Sequence, residues 1–237
     1  MRAAGFSLSA RESNGCAGWR HRRAPASINR VVVLCFLMIG AISSFAVAQE
    51  NAQQPAQQST SKGKRVALFL AGAALALGAH EAGHVAGNLA VGEKPGVRKV
   101  NFHGIPFFAI SHRSGLPPTR EFIISSAGFW MQHAEDEWLL TRRRHLRSER
   151  APLAKGILAF NVLGSVAYAG TAFAKTGPPE RDTRGIAASA RVDERWVGAL
   201  VLAPAVLDAW RYYHPDAKWA IWTSRGVKLG MILLVVR

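Results

Sequence analysis

His80-Glu81-Ala82-Gly83-His84 carries the residue types and the spacing of a metal-dependent hydrolytic site. In a helix, positions i and i+4 share a face, so the two imidazoles stand one turn apart and can hold one zinc ion between them. Glu81 follows the first histidine, where its carboxylate can take a proton from a zinc-bound water. The surroundings are unusual for such a group. Residues 66–79 contain only Val, Ala, Leu, Phe and Gly. Ionisable side chains in an apolar span are costly, and they mark function.

A catalytic zinc takes three protein ligands and keeps one position open. Asp208 is the candidate third ligand, because it is the lone acid in the apolar run ALVLAPAVLDAW. Its competing role is an ion pair with Arg211, three residues on. A Glu-x-x-His pair also occurs in di-iron bundles, but those sites need a second copy on another helix. No other glutamate here has a histidine three residues later. His133, Glu135, Asp136 and Glu137 read as a solvated helix face, and His103 and His112 as loop residues.

These residues must be positioned by a chain of 237 residues with a net charge of +15, 49% of it hydrophobic. Apolar runs with basic flanks fit a multi-pass protein of the bacterial inner membrane whose basic loops lie in the cytoplasm. No nucleic-acid recognition motif is present, and no nucleic-acid partner is expected. Residues 1–48 read as a signal peptide or signal anchor. An apolar core at 31–45 follows Arg20, Arg22, Arg23 and Arg30, and precedes Ala46-Val47-Ala48. Both cysteines, Cys16 and Cys35, fall in that segment. After cleavage no thiolate would remain, and a metal would have to use His, Asp or Glu. Residues 49–64 read as a disordered linker and 65–237 as a membrane-embedded domain.

The expected fold is an all-α membrane protein. About three core transmembrane helices (66–90, 152–174, 196–210) combine with a half-helix or interfacial helix at 121–140 and a short β-hairpin-like loop at 96–112. The stretch 175–195 reads as a loop. The tail, with Trp219 and Trp222 among Lys218, Arg225 and Lys228, reads as interfacial. If 121–140 does not cross, residues 93–150 lie on one side and 175–195 on the other. His80, His84 and Asp208 then share a depth, nearer the cytoplasm.

Three segments resemble the site-2-protease-like intramembrane zinc metallopeptidases. Gly78-Ala79-His80-Glu81-Ala82-Gly83-His84 is similar to the first zinc motif of that family. Residues 100–112, with Gly104-Ile105-Pro106-Phe107-Phe108, resemble the strands beside its active site. Pro204-Ala205-Val206-Leu207-Asp208 is similar to the later motif that completes the zinc site. The resemblance spans roughly 66–215. It implies a zinc-dependent metalloendopeptidase of the His-Glu-x-x-His type that hydrolyses peptide bonds within or near the bilayer. His80, His84 and Asp208 would hold Zn2+, Glu81 would be the general acid and base, and the partners would be the lipid bilayer and a membrane-protein or peptide substrate. The chain departs from the family pattern at Ala209, where glycine is usual, and at Ala127-Gly128-Phe129-Trp130-Met131-Gln132, where Gln132 stands in place of asparagine. Gln132 is one candidate oxyanion donor and Asn161 another. These departures leave a second expectation open: a catalytically weak or inactive membrane protein of the same fold, acting as a metal-binding or partner-binding regulatory module. Substrate identity and oligomeric state have no signature in the chain.

Overall fold

The computed structural model describes residues 61–102 and 105–235, with side chains for all of these except 101, 102, 105–107 and 232–235. The expected signal segment 1–48, both cysteines and His103 lie outside the described residues, as does most of the expected linker. Ser61 and residues 62–64 belong to the first helix instead. The Ser61 side chain accepts from the Lys64 backbone N–H at 3.3 Å, satisfying one of the orphan donors of a helix start.

Six helices and one two-stranded sheet make up the described chain: α1 (Lys62–Ala90), β1 (Gly96–Phe102), β2 (Ile105–Ser111), α2 (Pro118–Arg142), α3 (Pro152–Ala174), α4 (Asp182–Ala190), α5 (Glu194–Tyr213) and α6 (Lys218–Val235). Proline opens α2 and α3, where its missing N–H costs nothing. Lys175 and Arg191, both left-handed at φ 53° and 57°, end α3 and α4. The strands pair antiparallel from Gly96↔Ser111 to Phe102↔Ile105, as the hairpin expectation requires. Two helices, α1 and α3, are long and apolar enough to cross a membrane, and most of each apolar stretch faces out of the bundle. Leu70, Leu75, Leu163 and Val166 are among the exposed large apolar side chains on them.

Glycine sets how α1 and α3 meet. A Cβ at Gly72 would fall on the carbonyl oxygen of Leu153, and one at Gly156 on that of Phe69. The backbones therefore touch reciprocally, a contact open only to residues without side chains. Farther along the pair, His80 stacks on Tyr168 with ring centroids 5.8 Å apart. Both contacts advance in the same sense, so α1 and α3 run parallel.

The path of α2 departs from expectation. It is no half-helix: its 25 residues run antiparallel to α1 along the bundle. Ala127 lies against Gly83, while Leu139 and Leu140 pack with Ala76 and Leu153 near the opposite end. The charged half of α2 is carried by partners on α3, α5 and α6. His133, Glu135 and Asp136 are buried rather than solvated. The 175–195 region also holds a helix, α4, whose Ile186 and Ala187 join a core cluster with Phe129, Val197 and Val201.

Because α2 runs the length of the bundle, the segments group differently at its two ends from the expected arrangement. The hairpin and the 175–193 region share one end of the bundle, where Arg98 pairs with Glu180 at 3.1 Å. The start of α1, residues 143–151 and the α5–α6 turn share the other, where the Arg147 guanidinium lies 5.1 Å from the Tyr213 ring centroid. Helix α5 runs opposite to α1 and α3, with Gly198 against Ala172.

Gly72→Ala should cost ~1–3 kcal/mol because backbone must move. Gly78→Ala, with nothing within 4 Å of the added Cβ, should be neutral or stabilising by up to ~1 kcal/mol. Unfolding of both variants in detergent measures the difference, and equal effects would disprove the close approach.

Candidate metal centre

The histidine pair is brought together by the helix and completed by residues distant in sequence. His80 Nε2 and His84 Nε2 lie 3.2 Å apart. Asp182 Oδ2 is 3.2 Å from the first and 3.3 Å from the second. Three donor atoms thus form a nearly equilateral triangle. Tetrahedral ligands at bond lengths of about 2.0–2.1 Å have edges of about 3.3 Å, so the triangle has the size of one face of such a tetrahedron. An octahedral set at the same bond length would need edges of about 2.9 Å.

The other ring nitrogens are spoken for. His84 Nδ1 donates to the Ile124 carbonyl at 2.8 Å, and His80 Nδ1 donates to Gln132 Oε1 at 3.0 Å. Each bond turns Nε2 toward the common point, where it can bind a metal once it carries no proton. Gln132 is itself oriented, its amide donating to the Asn161 carbonyl and to Ser165 Oγ.

Glycine clears the space. A Cβ at Gly128 would stand 2.5 Å from His84 Nε2 and 2.7 Å from His80 Nε2, in the volume on which the lone pairs converge. Gly83 lets α1 approach α2, because a Cβ there would meet the Ala127 carbonyl at 2.6 Å.

Asp182 is fixed from both sides by Glu194 at the start of α5. Arg181 binds Glu194 through two bonds of 2.6 Å, and Thr183 Oγ1 donates to it at 2.7 Å. Such a bidentate guanidinium–carboxylate pair constrains geometry as well as contributing energy. Burial pushes the Asp182 carboxyl up, but the charge of His84 and the hydrogen bonds from both histidines outweigh it and hold the group well below the usual carboxylate range. The carboxylate is ionised at neutral pH, as a metal ligand must be.

Glu81 borders a cavity of about 340 Å³ together with His84, Tyr168 and Asp182. Its Oε2 is buried without a hydrogen-bond partner. The hairpin closes one wall through Val100, Ala109 and Ile110.

Asp208 is not with these residues. Using the His80–Tyr168 and Gly198–Ala172 contacts as levels, it lies about six residues deeper along α5, roughly 9 Å away at 1.5 Å per residue. Its carboxylate is 2.7 Å from Lys228 Nζ and 3.3 Å from Arg211 Nη1, and accepts from Ser224 at 2.8 Å. The Arg211 pair is the alternative that the sequence left open. His133, Asp136 and Asp208 form a second buried group that could hold a metal ion by spacing alone. Lys228 and Arg211 already supply positive charge there, which opposes a further cation.

Neither proposed oxyanion donor faces the cavity. Gln132 is committed to His80, and Asn161 donates to Asp136 at 2.8 Å and Glu135 at 3.1 Å. Tyr168, which sequence reasoning passed over, does line it. Asp182 was missed as well. Its one local signal is an acid just after Arg181 in a loop otherwise rich in proline and basic residues. Compared with known proteins, the chain matches no family model, no curated protein and no solved structure.

If His80, His84 and Asp182 hold a metal ion such as zinc, Asp182→Ala and Gly128→Ala should each abolish its binding, while Asp208→Asn should retain it. Gln132→Leu should weaken it ~10–100-fold through loss of histidine orientation. Zinc content after dialysis at defined free metal checks all four, and full zinc in Asp182→Ala would remove it from the site.

Proposed function

We propose that the chain is a membrane-embedded, zinc-dependent metallopeptidase that hydrolyses peptide bonds within or near the bilayer. One observation carries this: an unpartnered, buried Glu81 oxygen borders the same cavity as a triangle of two imidazole nitrogens and a carboxylate oxygen. The donor set, two histidines and one acid, suits a catalytic zinc with a position left open. Bound there, zinc supplies Lewis acidity and lowers the pKa of water.

The remaining work falls to the chain. His80, His84 and Asp182 hold the ion. Glu81 accepts a proton from the attacking water and returns it to the leaving amine, a general-base and general-acid role suited to a carboxylate with a free oxygen. Tyr168 lines the same cavity, and its hydroxyl donates to Asp182 and holds that carboxylate toward the histidines. Val100, Ala109 and Ile110 give an apolar wall that excludes water and accommodates apolar side chains.

The outward-facing apolar residues of α1 and α3 support placement in a bilayer. The end bearing Lys62, Lys64, Arg65 and the basic 142–150 run would face the cytoplasm, leaving the site in the opposite half. A bacterial inner membrane suits that charge bias. The likeness to site-2-protease-like peptidases rests on the first motif and the hairpin, with Asp182 in the role expected of Asp208.

A regulatory module that binds metal without cleaving is the second reading, favoured by the absence of Gln132 and Asn161 from the cavity. Glu81→Gln separates the two. It should keep full zinc and lose cleavage of transmembrane peptides by ~10²–10⁴-fold. A wild type that binds zinc and cleaves none of them would support the module instead.

A further inference from the structure

A second cavity, of about 300 Å³, opens at the end of the bundle farthest from the hairpin, between the end of α2 and the turn joining α5 to α6. Arg144, Arg211, Lys218 and Arg225 border it, with Thr141 and Trp222. Two of these cations are compensated: Arg211 Nη1 lies 2.5 Å from Glu137 Oε2, and Arg225 Nε lies 2.8 Å from Glu137 Oε1. The other two are not. Arg144 reaches only the highly exposed Asp216, at 3.7 Å, and Lys218 makes no ion pair among the described residues. The cavity therefore presents unbalanced positive charge at its mouth, and an anion would restore the balance.

Aromatic side chains set its depth. Trp210, Tyr213, Trp219 and Trp222 are all exposed at this end, with Trp222 at 69%. Arg225 lies over the Trp222 ring, 5.6 Å from its centroid. Exposed Trp and Tyr beside Lys and Arg are the pattern of a membrane–water interface. Leu229, one turn beyond Arg225 on the same face of α6, is exposed as well and continues an apolar track away from the charges. A free inorganic anion would have no use for that track, whereas a phospholipid fills both parts.

We propose that this cavity binds the phosphate headgroup of an anionic phospholipid, with Arg144 and Lys218 meeting the charge and Trp222 and Leu229 meeting the glycerol and acyl chain. The assignment rests on the placement of the bundle in a bilayer proposed above, and is independent of the metal site. Carbonate extraction of membranes tests that placement first: a chain released into the soluble fraction would overturn the lipid site and the membrane reading together. Next, the detergent-solubilised full chain is titrated with dioctanoylphosphatidylglycerol, dioctanoylphosphatidylcholine or inorganic phosphate, following tryptophan fluorescence and thermal unfolding. Phosphatidylglycerol should give a saturable response, and the other two should not. The Arg144→Gln/Lys218→Gln variant, altered at two exposed positions, should need at least tenfold more phosphatidylglycerol for the same response, with zinc content unchanged. Equal responses to both lipids, an equal response to inorganic phosphate, or a variant titrating like wild type would each overturn the assignment while leaving the metallopeptidase reading intact.

Discussion

Two imidazoles that each donate their Nδ1–H to α2 turn their Nε2 atoms toward one another, and here those atoms lie 3.2 Å apart. A carboxylate oxygen completes the approach at 3.2 and 3.3 Å. Such an arrangement is electrostatically unfavourable unless a cation or a shared proton stands among the donors. Much of the packing in this half of the bundle maintains it. The Ile124 carbonyl and Gln132 fix the two rings from α2, Gly128 keeps the space open, and Glu194 holds both neighbours of Asp182. Three potential ligand atoms thus converge on one point kept open by a glycine and bordering a cavity, and that convergence carries the functional conclusion.

The sequence showed the part of the site that is local. His80, Glu81 and His84 lie within a single helical turn, so their juxtaposition follows from helix geometry alone. It also showed the hairpin, the two long apolar helices and the rival pairing of Asp208 with Arg211. Asp182 could not be read the same way. Its position depends on α1 and α3 running parallel, on a turn that brings the chain back over the cavity, and on the salt bridge between its neighbour Arg181 and Glu194, thirteen positions apart.

One misjudged helix accounts for most of the remaining differences. The acids and His133 in the second half of α2 looked incompatible with a full-length helix in the bundle, because the groups that compensate the acids lie elsewhere in sequence, while both ring nitrogens of His133 are buried without a hydrogen-bond partner. Lys228 and Arg225 come from α6, Arg211 from α5 and Asn161 from α3. Once those partners are in place, burial of the acids is tolerable and α2 runs the length of the bundle. Each later helix then runs opposite to the direction inferred from charge. Asp208 moves from the level of the histidines to a deeper one, and the 175–195 region moves to theirs.

The two buried polar groups therefore have different physical characters. Around Asp208, Lys228, Arg211 and Glu137, each charge meets an opposite one, so the group is neutralised by the chain itself and can lock α2 against α5 and α6. Around His80, His84 and Asp182, the carboxylate faces imidazoles rather than Lys or Arg, and imidazoles can exchange their protons for a metal ion. Helix α2 belongs to both. Its far half is held by the self-neutralised lock, and its near half supplies Ile124, Gly128 and Gln132 to the histidines. Asp208 thereby bears on the histidine cluster after all, through the helix it helps to fix rather than through direct contact.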